Sequence, residues 1–522
     1  MLRSEGAVPD GWPVPQAAVY RSHTLLLPAH LHRENALGEL NDGLGRGNTG
    51  MRLVSTPPVT GDAENDVALG LSRRAVLVMA SHDGRVVDAW EALTAIRHAF
   101  RADGDRQGKS VLREDDVQRI SLEHLLTGSA LTGSSVTGDP VVIAGPVVIA
   151  GGEPSAVSSY LYGGGSTRTP VDVTIDAPSR KSREMCAADY GRRPVVAVLD
   201  SGVRAHPWLD VRAEGNGQYE TSSDGFVQVD PGIQNVIREH AKRAGEHHAI
   251  HPITGPWDLP YPSDLLVRPV DAYLGHGTFI AGLVRQAVPD ATLLSIRIMH
   301  SDGIIYEGDL LCALGLLVAR VAEAQRDNKP ELMVDALSLS LGYFAESSAD
   351  VMYTAGLYEL IRGLLDRGVL ITAAAGNYTT RRRYYPAAFA GVPSDNPNHL
   401  VSVGALNPNG SRAAFSDGGQ WVTAWAGGAS LISTFPTDIN GPDEPDLKVR
   451  DIETLDRDDY RGGFAAWSGT SFAAPAFAAH AIAVMLGGLL EEDSQLPRLS
   501  EVDAKAAIQR VAWSLRQFPG KS

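Results

Sequence analysis

Cysteine is nearly absent. The 522 residues hold only Cys186 and Cys312, which excludes a disulfide framework and fits a reducing compartment. Cys312 lies in the apolar helical stretch DLLCALGLLVAR, where a buried, inert thiol is expected. Basic side chains are outnumbered, 46 against 62 acidic, for a formal charge of −16. Such a chain repels nucleic-acid phosphates and anionic lipid surfaces, so neither is an expected partner. No apolar run reaches the roughly 18 residues of a membrane span before Gly, Pro or charge interrupts it. The opening MLRSEGAVPDGWPVP lacks the apolar core of a secretory signal. These absences lead to the expectation of a soluble, cytoplasmic protein with no membrane span, non-classical export remaining open.

Length is ample. A chain of 522 residues exceeds what one core usually organises, so two domains of unequal size are expected. From about residue 194 onward, the apolar runs PVVAVLD, ATLLSIRIM, ELMVDALSLSLG, GVLITAAAGN and HLVSVGAL alternate with amphipathic helical runs. Leu310, Leu314, Leu317, Val318 and Val321 share one helical face, as do Leu357, Leu360, Ile361, Leu364 and Leu365. This pattern predicts an α/β fold, a parallel sheet with helices on both faces. The earlier region differs. Residues 24–27, 51–54 and 75–79 read as strands, one helix carries Leu37, Leu40 and Leu44, and another carries Ala89, Leu93, Ile96 and Phe100. A further strand over residues 117–122 completes a smaller α+β domain of ferredoxin-like arrangement. Between the two regions, residues 127–169 are rich in Gly, Ser and Thr and contain PVVIAG twice, at Pro140 and Pro146; they read as a linker.

Three segments set a reactive side chain among glycines: Asp200 in VVAVLDSGV, His276 in GHGTFIAGL and Ser471 in GTSFAAPAFAA. Attack on an amide needs a nucleophile, a base for its proton, and a carboxylate to hold that base in one tautomer. Gly275, Gly277 and Gly469 are expected to let a substrate backbone approach without a Cβ in the way. Ser471 opens a helix of small residues, with Pro475 expected within its first turn, so the serine N–H can stabilise an oxyanion.

The order Asp, His, Ser with these local sequences resembles the subtilisin family over roughly residues 194–490. The resemblance implies a serine endopeptidase with Asp200, His276 and Ser471 as its triad and a polypeptide substrate. It implies that Asn377, in AAAGN, is the oxyanion-hole amide. It implies a substrate strand held between Ser340, Leu341 and Gly342 on one side and Gly303 and Ile304 on the other. Ala374 and Gly376 would line the pocket for the side chain before the cut bond. The resulting division is an N-terminal α+β domain at residues 1–126, a linker at 127–189 and a subtilisin-like peptidase domain at 190–522. Relatives commonly carry an amino-terminal ferredoxin-like prosegment whose tail lies in the groove, and the first domain is expected to act in that way. No cofactor is required for such chemistry; structural calcium stays open, with no ligand pattern to assign it.

Several features stand outside that pattern. The gap from Asp200 to His276 is long, and residues 434–466 read as an acidic insertion forming a surface loop. Residues 381–383, all arginine, read either as a solvated run or as a reader of acidic side chains, and Tyr384 as a residue that narrows the pocket. His247 and His251 stand at i, i+4 spacing without a third ligand, so no metal is assigned. A lipase or esterase would reverse the order of the three residues and place glycines around the serine, and is set aside. The remaining alternative is a non-catalytic binding protein that keeps the fold and captures a partner through its first domain.

Overall fold

The structure is a computed structural model; it describes residues 16–80, 86–102, 111–131, 160, 168–215, 218–245, 252–260, 270–346, 354–394 and 396–518. The tandem PVVIAG segment and His247 and His251 lie outside the described residues.

In the first domain, alternating apolar residues build β1 (Tyr20–Pro28), β2 (Met51–Ser55), β3 (Ser72–Met79) and β4 (Ser121–Gly128). They form an antiparallel sheet in the order β4-β1-β3-β2. Four helices intervene: α1 (Glu34–Arg46), the short α2 (Ala63–Ala68), α3 (Ala89–Ala102) and the short α4 (Glu114–Gln118). Leu40 and Leu44 of α1 and Leu93 and Ile96 of α3 share one core with Leu25, Leu27, Leu53 and Leu77 of the sheet. This is the ferredoxin-like arrangement. One element shifts: Val117, expected in a strand, is helical, and β4 starts only at Ser121. Glu114, Asp115 and Asp116 occupy the first turn of α4, where acidic side chains favour a helix start, and the Asp116 carboxylate accepts the Arg113 N–H at 3.0 Å.

The larger unit carries a 7-stranded sheet, in the order Ala424–Gly427, Val401–Leu406, Leu370–Ala374, Ala336–Leu339, Val195–Asp200, Thr292–Arg297 and Val227–Val229. Every pairing is parallel, and the central strands are buried along nearly their whole length, as a sheet covered on both faces requires. Helices His276–Ala287 and Thr470–Leu489 pack together over one face; Pro231–Gly245, Glu307–Arg326 and Ala355–Leu365 pack together over the other. Helix Thr470–Leu489 is the exception to the expectation of no span-like segment: its mean hydropathy is 1.7, and by length and composition alone it could cross a membrane. Two-thirds of that window is buried inside the protein (67%), so its apolarity is spent on core packing.

The two units meet along β4. The strand runs past the expected domain bound at residue 126 to Gly128 and pairs with both Ile304–Tyr306 and Leu341–Gly342. The expected linker is structured at its far end too: Arg168–Pro170 joins the edge of Phe464–Trp467, and Arg183–Tyr190 is helical.

Candidate active site

Asp200 is the last residue of its strand, at the carboxyl edge where parallel sheets present reactive groups. His276 opens its helix immediately after Gly275, whose φ of +85° makes the turn. The imidazole Nδ1 lies 2.7 Å from Asp200 Oδ1, and both side chains are buried. A carboxylate only accepts, so Nδ1 carries the hydrogen of this contact. Nε2 is buried and makes no hydrogen bond among the described residues. Phe472, next to Ser471, packs 5.3 Å from the imidazole, and Trp467 and Tyr273 stand at 5.6 and 5.2 Å.

Ser471 sits in the first turn of Thr470–Leu489. Its hydroxyl donates to the Ser340 carbonyl at 3.2 Å, turned away from His276. Pro475 lies one turn further in than the sequence reading placed it, inside the helix. Lacking an N–H, it leaves the Ser471 carbonyl without its helical donor. The Ser340 hydroxyl takes that place, donating to Ser471 O at 2.7 Å. In Ser340→Ala this carbonyl is orphaned, at an expected cost of about 1–3 kcal/mol, measurable as a lowered urea midpoint.

Asn377 follows Gly376, whose φ is +106°. The amide oxygen accepts from Thr470 N–H at 3.0 Å and Thr470 Oγ1 at 2.9 Å. Two donors on the oxygen leave Nδ2 as the end that faces outward. Nδ2 donates to the Ser129 carbonyl at 2.5 Å, and the Ser471 N–H donates to the same oxygen at 2.9 Å. Two donors converging on one carbonyl form the geometry that stabilises an oxyanion.

That carbonyl belongs to the chain itself. The tail of β4 lies where a substrate strand was expected: Ile304 pairs with Thr127, Leu341 with Gly128, and Gly342 with Thr127. Gly128 N–H donates to Gly303 O at 3.1 Å and Ser129 N–H to Ser340 O at 3.0 Å. Beyond Ser129, Ala130 bridges Gly469 and Leu131 N–H donates to Ser468 O at 3.0 Å. The structure thus brings Gly303, Ile304, Ser340, Leu341 and Gly342 together around one extended segment whose Ser129–Ala130 bond lies at Ser471. Ala374 ends its strand, buried behind this site, and Gly376 borders Asp417 and Tyr384.

Some expectations are corrected. Of the three glycines thought to admit substrate, only Gly469 faces the bound segment, where a Cβ would meet Ala130 Cα at 2.7 Å. Gly277 instead admits the Gly202 carbonyl, 2.1 Å from a built Cβ, and Gly275 admits the Phe435 ring at 2.5 Å. Both relieve crowding within the protein. Arg382 donates to the carbonyls of Ala17 and Ala345 and covers Phe344, while Arg381 and Arg383 are exposed. Thr434 pairs with Phe464 and Ala466 with Ile432, so the expected insertion is confined to residues 435–463. Among the described residues no group of His, Cys, Asp or Glu is gathered as a metal site.

Two residues escaped the sequence reading. Asp258 is fully buried, accepts Gly275 N–H at 2.7 Å and Ser201 Oγ at 3.1 Å, and burial pushes its carboxyl up to about 6. Through Ser201, which accepts Gly277 N–H at 3.1 Å, it braces both sides of His276. Tyr273 is the other: its hydroxyl donates to the Gly128 carbonyl at 2.5 Å and reaches the Ala130 carbonyl at 3.2 Å. Neither lies in a recognisable local pattern, because their partners are distant in sequence.

Residues 191–518 match the model of the subtilase family. Among curated proteins the chain is similar to Subtilisin BL of Lederbergia lenta, 26% identical over half of this chain and 72% of that one. It is also similar to an alkaline protease of Alkalihalobacillus alcalophilus, 25% identical over 50% of this chain and 51% of the relative, and to thermitase of Thermoactinomyces vulgaris, 24% identical over 58% and 82%. Among solved structures, a cold-adapted subtilisin-like serine proteinase aligns over 63% of this chain and 85% of its own, with 17% identity and a TM-score of 0.35.

Proposed function

Because the chain belongs to the subtilase family of peptidases, we propose that it is a serine endopeptidase acting through Asp200, His276 and Ser471, with its own Ser129–Ala130 bond as first substrate. The observation that carries this reading is the pair of donors, Ser471 N–H and Asn377 Nδ2, on the Ser129 carbonyl.

In this reading the Ser471 hydroxyl turns from the Ser340 carbonyl to His276 Nε2, which takes its proton as Oγ attacks the Ser129 carbonyl carbon. Asp200 holds the Nδ1 hydrogen and stabilises the imidazolium. The oxyanion draws on the two donors already in place. Collapse breaks the bond to Ala130, whose amine takes the proton from His276, and water then hydrolyses the ester between Ser129 and Ser471. The role of the first domain follows: a prosegment whose tail fills the cleft and occludes it until it is cut and released.

Intact-mass analysis with fluorophosphonate labelling tests this. The expected result is a new N-terminus at Ala130, followed by labelling of Ser471. The sequence Leu-Thr-Gly-Ser recurs at residues 131–134, so an N-terminus at Ser135 with none at Ala130 rejects the register. A chain that stays uncut and unlabelled favours a binding protein. Asn377→Ala is expected to lower turnover about 10²- to 10³-fold, a scale known from a subtilisin, with little change in fold.

A further inference from the structure

Gly128 adopts a backbone conformation open to any residue, for it has no positive φ. Its lack of a side chain is therefore demanded by the groove and not by the chain. A Cβ built at residue 128 lies 2.3 Å from Tyr273 Cε1 and 3.0 Å from Met299 Cε. The ring cannot retreat easily, because on its other edge a Cβ at Gly303 would lie 2.3 Å from Tyr273 Cδ2. Tyr273 is thus wedged between a glycine of the groove wall and a glycine of the bound strand. Its loop is held as firmly: the Arg168 guanidinium donates to the carbonyls of Val270, Asp271, Ala272 and Leu274 at 2.8–3.2 Å.

The next position is restricted by another tyrosine. Tyr384 is fully buried, its ring meets a Cβ built at Gly342 at 2.3 Å, and its hydroxyl lies 3.2 Å from Ser129 Oγ. The phenol occupies the space into which a longer side chain before the cut bond would extend. One residue before Gly128, Thr127 Oγ1 meets the Tyr378 hydroxyl at 3.0 Å, and the one before that, Leu126, is completely buried.

We infer that the cleft is a steric filter for Gly-Ser and Gly-Ala sequences: Tyr273 admits only glycine at the second residue before the cut bond, and Tyr384 only a small side chain at the residue next to it. The substrate class is an extended Gly/Ser-rich segment with a leucine two residues before the glycine. This inference rests on the peptidase reading. Tyr273 acts here as a specificity residue, since it touches the substrate backbone on both sides of the bond.

The test uses the full-length protein after self-processing, with two peptides, Leu-Thr-Gly-Ser-Ala-Leu and Leu-Thr-Ala-Ser-Ala-Leu, and kcat/KM as the readout. The glycine peptide is expected to be preferred by at least roughly 10- to 200-fold, the range that one misplaced carbon commands in a closed pocket. In Tyr273→Ala the preference should collapse towards one, because the obstruction is gone. In Tyr273→Phe it should persist, because the ring remains and only the hydroxyl is lost. Equal cleavage of both peptides by the wild type, or an unchanged preference in Tyr273→Ala, overturns the filter and leaves the peptidase reading standing. Cleavage of neither peptide, with no fluorophosphonate labelling of Ser471, rejects the peptidase reading and the filter with it. Should Tyr273→Ala not fold, the wild-type cut sites in a diverse peptide library decide: glycine enriched at that position supports the filter, and larger residues there reject it.

Discussion

Ser471→Ala is expected to lower peptide turnover about 10⁶-fold, the scale of the same loss in a subtilisin, and to leave the chain at full length. Both effects follow from what the hydroxyl does and does not hold up. Among the described residues its hydrogen bond goes to Ser340 O at 3.2 Å, and that carbonyl keeps a second donor, the Ser129 N–H at 3.0 Å. Removing Oγ therefore costs the fold no more than about 1 kcal/mol. Chemistry is another matter, because in the proposed mechanism this hydroxyl is the nucleophile and carries the acyl group. The oxyanion donors remain, so a small residual rate persists. The measurement is amidase turnover beside intact mass: a Ser471→Ala chain that still splits at Ala130, or turns over peptide at the wild-type rate, rejects the assignment. The uncut variant is also the form in which docking of the first domain can be studied.

The second large effect concerns that docking. His124, on β4, is fully buried between two carboxylates of the larger unit, with Nδ1 2.7 Å from Glu307 and Nε2 2.8 Å from Glu346. Its ring stacks on Tyr343 at 4.4 Å, and the Tyr343 hydroxyl donates to Glu307 at 3.2 Å. Burial alone would lower the imidazole, but the two carboxylates outweigh it and carry His124 up to about 10. In return His124 holds Glu346 below the ordinary carboxylate range against its own burial. A neighbouring network, Arg74 and Arg21 on Glu123 with Arg74 also on Asp309, ties the same strand to the same helix. His124→Ala leaves two buried carboxylates without the cation between them, so its expected cost is about 3–5 kcal/mol, or roughly 10²- to 5 × 10³-fold in the docking equilibrium. The urea midpoint for release of the first domain, measured in the Ser471→Ala chain, reads it.

The sign of the pH dependence follows from the same contacts. A group raised in the folded state stabilises fully below its free value, about 6.5 for histidine, and that contribution is lost as pH rises through the folded value. The His124 contribution to docking should therefore decline between about pH 6.5 and 10, and be absent in His124→Ala. A midpoint that does not respond to pH in this window rejects a charged His124. The wider consequence is that, once the Ser129–Ala130 bond is cut, release of the first domain is favoured as pH rises through this window.

The sequence by itself determined the architecture and the candidate reactive groups, because both are written locally. Period-2 and period-3.6 patterns named the strands and helices, including the ferredoxin-like order of β1 to β4. Glycine-rich motifs singled out Asp200, His276 and Ser471, and the family resemblance those motifs carry added Asn377. Only the tertiary structure decided which residues lie in the groove and in what register, for strand pairing between β4 and Leu341–Gly342 joins segments some 200 residues apart and leaves no local mark. The same holds for Asp258 behind His276, for Ser340 completing the helix that Pro475 interrupts, and for His124 between Glu307 and Glu346. Gly277 and Gly275 show the limit most directly: the sequence announces that something must approach closely, but whether it is a substrate or the Gly202 turn and Phe435 depends on the three-dimensional neighbour. The physical reason is that a hydrogen bond or a steric contact depends on distance in space, and distance in sequence constrains it only within a single turn or strand.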